Sequence, residues 1–263
     1  VVKELIENSI DAGSKRITIE IERGGFDLMR ITDDGSGIHE DDLSLSLDRH
    51  ATSKLSTQED LAAIGTLGFR GEALASIGMV SKLSISSRPS GTEGRQISMD
   101  NGDKETIKPA GIAEGTCIEV SHLFANQPAR LAFQRRPATE TSRIVDVVVS
   151  HAICHPEVGF RLSSDEKVIL EVPAVDEMED RLYDVLGRQA GKMIPICPPP
   201  SDKDAPGDEN WTGWISTPDI TRGKGDDIHI LINGRPVAAQ PFLQSIRRGY
   251  RTRLMQGRHP VAV

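Results

Sequence analysis

The sequence predicts an α+β protein of two domains: a mixed sheet carrying helices on one face, followed by a smaller α/β domain. Three observations carry this. RITIEIE (Arg16–Glu22), KLSISS (82–87), RQISM (95–99) and TCIEVSH (Thr116–His122) alternate apolar and polar residues, the period of half-buried strands. Helical patterns interleave with these strands, and two of the strands are spaced as a hairpin, so an α+β layer fold fits the order of elements. VPAVDEME, at 172–179, reads as a linker and divides the chain into 1–174 and 175–263.

The elements follow in order. VVKELIENSIDAG opens the chain as an amphipathic helix. Val2, Leu5, Ile6 and Ile10 share an apolar arc, and Glu4, Asn8 and Asp11 fall within roughly 60° of one another on the other side. Gly13 supplies a stop. RITIEIE then pairs across Gly24 and Gly25 with LMRIT (Leu28–Thr32). Glu40 to Arg49 reads as a helix, with Leu43 and Leu47 one turn apart. Ser56 and Glu59 form a capping box for a short helix through Ile64. Gly65, Gly68 and Gly71 punctuate a loop before EALASIG resumes a helix. Thr139 to Cys154 is helical. In the second part, PPPSDKDAPGDEN (Pro198–Asn210) is a polar loop, WTGWIST and IHILING are strands, NGRP turns a hairpin, and Gln240 to Gln256 is a helix.

Composition narrows the function classes. The chain has 263 residues, of which 37% are hydrophobic and 27% charged, as in ordinary globular proteins. No apolar run reaches the roughly 18 residues of a membrane span, so no membrane partner is expected. The three cysteines, Cys117, Cys154 and Cys197, are widely spaced. That excludes a disulfide framework and points to a reducing compartment, the cytoplasm or nucleus, for a protein that is not secreted. NWT at Asn210 is then an unused glycosylation sequon. HAICHP groups His151, Cys154 and His155, but a helix end before Pro156 explains it more simply than a metal site. A helical pattern already running at residue 1, without an initiating Met, leads to the expectation of a fragment of a longer protein.

DDGSGI (Asp33–Ile38), at the end of a strand, raises the question of a nucleotide. The third glycine of a dinucleotide fingerprint is absent, since Glu40 stands there, and the preceding elements are not a βαβ unit. GRQAGKM has neither the spacing nor the Ser/Thr of a phosphate loop. A different site fits. A carboxylate at a strand end can accept a hydrogen bond from an adenine amino group, beside glycines that let the backbone approach the base. A glycine-rich loop ahead of a helix, as in GTLGFRGEAL (Gly65–Leu74), can offer N–H groups to phosphates. On the helix, an Asn carbonyl can ligate Mg²⁺ and a carboxylate can orient a water.

The joint order of these motifs resembles the GHKL ATPases, and in detail the MutL mismatch-repair proteins. KELIENSIDAG, ITDDGSGI, RHATSK (Arg49–Lys54) and GFRGEAL (Gly68–Leu74) carry the resemblance, which is dense to about residue 135, with INGRPV (Ile232–Val237) a second anchor. FANQPAR (Phe124–Arg130) departs from the family pattern at Gln127. The resemblance implies a GHKL helix/mixed-sheet sandwich binding ATP and Mg²⁺. It implies Glu4 as general base and Asn8 as Mg²⁺ ligand. Asp33 is implied as the adenine carboxylate, with Gly35, Gly37 and Ile38 shaping the pocket and Thr116 a second adenine-side contact. Thr52, Ser53, Lys54 and the run Gly68, Phe69, Arg70, Gly71, Glu72, Ala73 and Leu74 are implied as phosphate and lid contacts. Asp11 is implied either as a contact through water or as a support for the helix end. It further implies a slow ATPase switch coupled to dimerisation, as a homodimer or a heterodimer within the family, and a mismatch-recognition partner of the MutS type. An arm ahead of Val1 and a lysine-bearing loop after Val263 are expected by the same resemblance.

Two other readings share part of this pattern. A type II topoisomerase ATPase subunit would share the helix and DDGSGI but not RHATSK. A nucleotide-gated DNA-binding module would not need a base at Glu4. Although the net charge is −8, Ile228 to Val263 contains six arginines and no Asp or Glu. On a helix through Gln256, Phe242, Ile246, Tyr250 and Leu254 form an apolar arc. Arg247, Arg248 and Arg251 lie opposite as candidates for non-specific DNA backbone contact, with Arg253 at the apolar edge.

Overall fold

The computed structural model describes residues 1–48, 73–197, 211–223 and 227–263. They form two compact units, Val1–Ala152 with Pro156–Val175, and Ile153–His155 with Asp176–Val263.

The first unit begins with helix α1 (Val2–Asp11), stopped at Gly13 in the left-handed conformation. Strands β1 (Arg16–Glu22) and β2 (Leu28–Asp33) follow, joined through the tight turn Arg23–Gly25. Next come α2 (Glu40–Leu45), α3 (Ala73–Gly78), β3 (Lys82–Arg88) and β4 (Arg95–Asp100). Short β5 (Asp103–Lys104) and β6 (Lys108–Pro109) precede β7 (Gly115–Ser121), α4 (Pro128–Ala132) and α5 (Pro137–Cys154). β8 (Gly159–Ser164) and β9 (Lys167–Val172) close the unit.

The sheet order is β5-β4-β3-β7-β2-β1-β8-β9, with β6 also on β4. Its pairs are antiparallel except β1–β8, which is parallel, so the sheet is mixed. Register stacks the inward residues into rows across the strands. Ile97, Ile85, Ile118, Ile31, Ile19 and Leu162 make one such row, and all are buried. Burying an aliphatic side chain of this size contributes roughly 1.5–3 kcal/mol, so this row anchors the unit. The opposite face is polar: Arg30 lies between Glu20 (3.1 Å) and Glu119 (2.5 Å), partly exposed. One wet face is what an antiparallel-rich sheet tolerates.

The structure corrects several expectations. Ile10 is only half-buried; Glu7 and Ser9 take the buried side of α1 with Val2, Leu5 and Ile6. The helix expected over Glu40–Arg49 ends at Leu45, where the Ser46 hydroxyl and the Lys104 ammonium take up the carbonyls of Leu43 and Ser44. Leu43 and Leu47 are buried nonetheless. Strands β8 and β9 were not legible: GFRLSS has only two inward apolar residues, and KVILEV shows no alternation in its burial. The expected capping box at Ser56 lies outside the described residues.

The second unit contains α6 (Met178–Leu186), β10 (Met193–Ile196), β11 (Gly213–Ser216), β12 (Thr221–Arg222), β13 (Ile230–Ile232), β14 (Arg235–Val237), α7 (Gln240–Tyr250) and β15 (His259–Pro260). β10 pairs with β11, β12 with β15, and β13 with β14. Asn233 and Gly234 turn the last hairpin with positive φ at both residues, the conformation that Asn-Gly favours. The helix α7 ends at Tyr250, not Gln256. Arg251 follows with φ 50 and begins a tight turn through Arg253, so it leaves the helical arc shared by Arg247 and Arg248. The buried side of α7 runs through Leu243, Ile246 and Tyr250, while Phe242 is 38% exposed. The Tyr250 hydroxyl donates to the Ser216 carbonyl at 2.6 Å and so pins the helix end to β11. Arg253 is exposed. Among the described residues, no helix is long and apolar enough to cross a membrane.

Candidate functional site

The inward row next to the isoleucine row changes character. Its central residues are Ser87 on β3, Thr116 on β7 and Asp33 on β2, between Arg95 on one side and Ile17 on the other. Ser87 is fully buried, Thr116 is 5% exposed and Asp33 is 8% exposed. Three adjacent strands thus present polar groups where the core pattern calls for aliphatic ones. Burying such groups is unfavourable unless they are hydrogen-bonded, and here each is.

Asp33 is held on several sides. Ser9 of α1 donates its hydroxyl to Oδ2 at 2.7 Å, and the Gly35 N–H donates to Oδ1 at 2.9 Å. Burial pushes the Asp33 pKa above its ordinary value, and the donors Ser9, Gly35 N–H, Ser14 and Thr116 N–H oppose that rise. The neighbouring Asp34 does different work. Its Oδ1 accepts from the Lys15 and Arg16 N–H groups at 2.7 and 2.8 Å and ties the start of β1 to the end of β2. Of the two adjacent aspartates, only Asp33 faces inward.

Two glycines are required by space as well as by conformation. At Gly37 (φ +73) a Cβ would lie 2.7 Å from the Pro89 nitrogen; at Gly115 (φ +117) it would lie 2.0 Å from the Asp33 carbonyl oxygen. The turn after β2 therefore lies flat against the strand ends. The Ile38 N–H reaches Ser87 Oγ at 2.8 Å, which fixes Ile38 at the rim.

Helix α1 packs over this end of the sheet, and the Ser9–Asp33 bond fixes the two together. Glu4 is exposed, and Asn8 and Asp11 are half-buried. The helix is also anchored from behind: Glu7 is buried, with Lys3 Nζ at 3.6 Å and His151 Nε2 of α5 at 3.7 Å from its Oε1. His151 Nδ1 donates to the Val147 carbonyl at 2.8 Å, so this histidine of HAICHP belongs to helix packing.

The structure therefore brings Asp33, Gly35, Gly37, Ile38 and Thr116 together at the strand ends, beneath the helix that carries Glu4, Asn8 and Asp11. Ala73 and Leu74 begin α3, half-buried. Thr52, Ser53, Lys54, Gly68, Phe69, Arg70, Gly71 and Glu72 lie outside the described residues. Sequence reasoning missed Ser9 and Ser87. Each carries a signal, however: a polar residue at an inward position, Ser9 among the apolar residues of α1 and Ser87 after Leu83 and Ile85 on β3.

Residues 1–120 match the family model described as histidine kinase-, DNA gyrase B-, and HSP90-like ATPase. Fold and site together define a GHKL-type ATPase domain. Residues 185–263 match the C-terminal domain of DNA mismatch repair proteins, and the whole chain is 40% identical to the DNA mismatch repair protein MutL of Geobacter sulfurreducens. The chain belongs to the MutL family. It is also 42% identical, over its whole length, to MutL of Streptococcus equi subsp. zooepidemicus. It spans 43% and 39% of the lengths of these two relatives. Among solved structures, the Aquifex aeolicus MutL ATPase domain complexed with ADP superposes with a TM-score of 0.70 at 26% identity, covering 99% of this chain and 88% of that one. The N-terminal domain of a DNA repair protein superposes at 0.79, also at 26% identity, covering 99% of this chain and 80% of that one. Identity to MutL along the whole chain favours this family over the topoisomerase alternative.

Proposed function

We propose that residues 1–174 bind and slowly hydrolyse ATP with Mg²⁺, as the nucleotide switch of a mismatch-repair protein, and that 175–263 form a second domain that relays the switch. The observation that carries this reading is the buried Ser87–Thr116–Asp33 row beneath α1. Asp33 is an acceptor-only group at a strand end, beside a turn whose glycines let backbone pack closely on the strand ends.

On this reading Asp33 accepts from the adenine amino group and Thr116 contributes beside it. Glu4, exposed on the same helix, orients the attacking water and takes its proton. Asn8 supplies an amide oxygen to Mg²⁺. Among the described residues no cluster of three or more His, Cys, Asp or Glu could hold a metal. A single amide oxygen fits a cation that keeps several waters and leans on nucleotide phosphates. Once bound, Mg²⁺ supplies neutralisation of the phosphate charge. Thr52, Ser53, Lys54 and the backbone from Gly68 to Leu74 are assigned to the phosphates.

Nucleotide binding then favours association of two N-terminal halves, as a homodimer or a heterodimer within the family, through a shift in population. DNA and a MutS-type protein are the proposed partners. The DNA contact is assigned to Arg247 and Arg248 on α7 and to Arg251 on the turn that follows; all three are exposed. Such contacts bind phosphates and carry no sequence code.

Turnover of Mg·ATP in the full-length protein tests the catalytic part. Glu4→Ala should keep ATP binding and lower turnover by roughly 10²–10⁴-fold. Unchanged turnover would remove Glu4 from the mechanism.

A further inference from the structure

Ser87 lies outside the motifs that carry the family resemblance in this chain, yet it is fully buried in the polar row, beside Thr116. Its single oxygen meets three partners. The Ile38 N–H lies 2.8 Å away and can only donate. The Gly115 carbonyl lies 3.0 Å away and can only accept. Thr116 Oγ1 lies 2.9 Å away, and by distance alone either hydroxyl could be the donor.

The other two partners decide the direction. Ser87 has one proton, and the Gly115 carbonyl is the partner that can do nothing but accept it. Were that proton turned to Thr116, two oxygens would face each other at 3.0 Å without a hydrogen between them. So Ser87 donates to Gly115 and receives the Thr116 proton. A threonine hydroxyl is ordinarily ambivalent, donor or acceptor as its rotor turns. Here its proton is committed, and what remains for a ligand is a lone pair. Asp33, directly across from Thr116 in the register, is likewise an acceptor.

We propose that Ser87 is a specificity-determining residue that never touches the base: by holding the Thr116 proton, it makes the two groups facing the purine 6-position acceptors. This rests on the assignment of the Asp33–Thr116 row as the adenine site. An adenine presents an amino donor there and is satisfied. A guanine presents a carbonyl oxygen, which meets a carboxylate and a lone pair. With Ser87 removed, the Thr116 hydroxyl is free to turn and donate to that oxygen, so the penalty on guanine nucleotides relaxes. Asp33 alone would not produce this behaviour, because its preference does not depend on a proton held elsewhere.

The experiment measures Kd for ATP and for GTP by calorimetry on wild type, Ser87→Ala, Thr116→Val and the double variant. Ser87→Ala should narrow the ATP-to-GTP preference by about tenfold, the size of one buried polar mismatch. In the Thr116→Val background, Ser87→Ala should not change the ratio further, since no hydroxyl remains to turn. Ser87→Thr, which keeps the hydroxyl, should retain the wild-type ratio. If Ser87→Ala does not fold, Ser87→Cys reads the same ratio through a weaker donor and acceptor. Equal loss of ATP and GTP affinity in Ser87→Ala, or the same narrowing with and without Thr116, overturns the proposal. Asp33→Asn separates the two levels: if it leaves ATP affinity intact, the site assignment falls and this proposal with it. If it weakens ATP while Ser87→Ala leaves the ratio unchanged, only the role of Ser87 falls.

Discussion

Replacing Asp33 with asparagine separates binding from stability. The carboxylate is 8% exposed and accepts from Ser9 and the Gly35 N–H. The amide can keep one of these acceptor bonds and turn its NH₂ to Ser9 Oγ, so the fold loses little. Toward an adenine amino group, however, it risks presenting a donor to a donor. A buried mismatch of this kind costs about 1–3 kcal/mol, or roughly 5- to 150-fold in Kd. Stability should move the other way. Burial raises the Asp33 pKa in the fold, so the native state holds its proton more tightly than the unfolded chain does. Its contribution to stability is then fullest below the ordinary aspartate value of about 3.9 and is lost as pH rises through the folded value. At neutral pH the buried charge is a net cost, and Asp33→Asn removes it. Calorimetric titration with ATP and thermal melts at neutral and acid pH read both effects. The expected result is weaker ATP binding with a Tm at neutral pH no lower than wild type. Equal ATP affinity in the two proteins would remove Asp33 from the adenine contact, and a melt showing that the variant does not fold would contradict the stability effect.

Asn8→Ala should remove the Mg²⁺-dependent part of ATP affinity and leave binding in excess EDTA near the wild-type value; equal loss with and without Mg²⁺ would argue for a packing role. On α7, each phosphate neutralised contributes about −0.9 to the slope of log affinity against log salt on duplex DNA. Arg247→Glu/Arg248→Glu should therefore make that slope shallower by roughly 1.8 if both engage. Titration of labelled duplex at several salt concentrations checks this, and an unchanged slope would return α7 to the solvated surface.

The strands and helices that build the site were legible because their periodicity is clean. In RITIEIE and TCIEVSH the alternation matches the register across the sheet. Once period 2 is accepted, Asp33 follows Met29 and Ile31 onto the inner face and Asp34 does not. Less legible were groups whose role depends on a strand far away in sequence. Ser87 reads as one more serine in KLSISSR until β7 brings Thr116 beside it. Glu7 reads as a solvated helix residue until α5 brings His151 to 3.7 Å. The end of α7 was misplaced because RRGYRTRLMQ keeps helical composition; the hydroxyl bond from Tyr250 to Ser216 and the left-handed backbone at Arg251 end it. Strand β8 was hidden because its two-residue turn to β9, Asp165–Glu166, takes positive φ without the glycine that usually marks a hairpin.

The most direct test of the account is amide hydrogen exchange on this chain with and without Mg·ATP. Nucleotide binding at the strand-end row should add protection in the second half of α1, in the turn Asp33–Ile38 and at Gly115–Cys117, the segments that the row and its covering helix bring together. ATP binding that leaves all of these segments unchanged, with protection confined to the second unit, would contradict it.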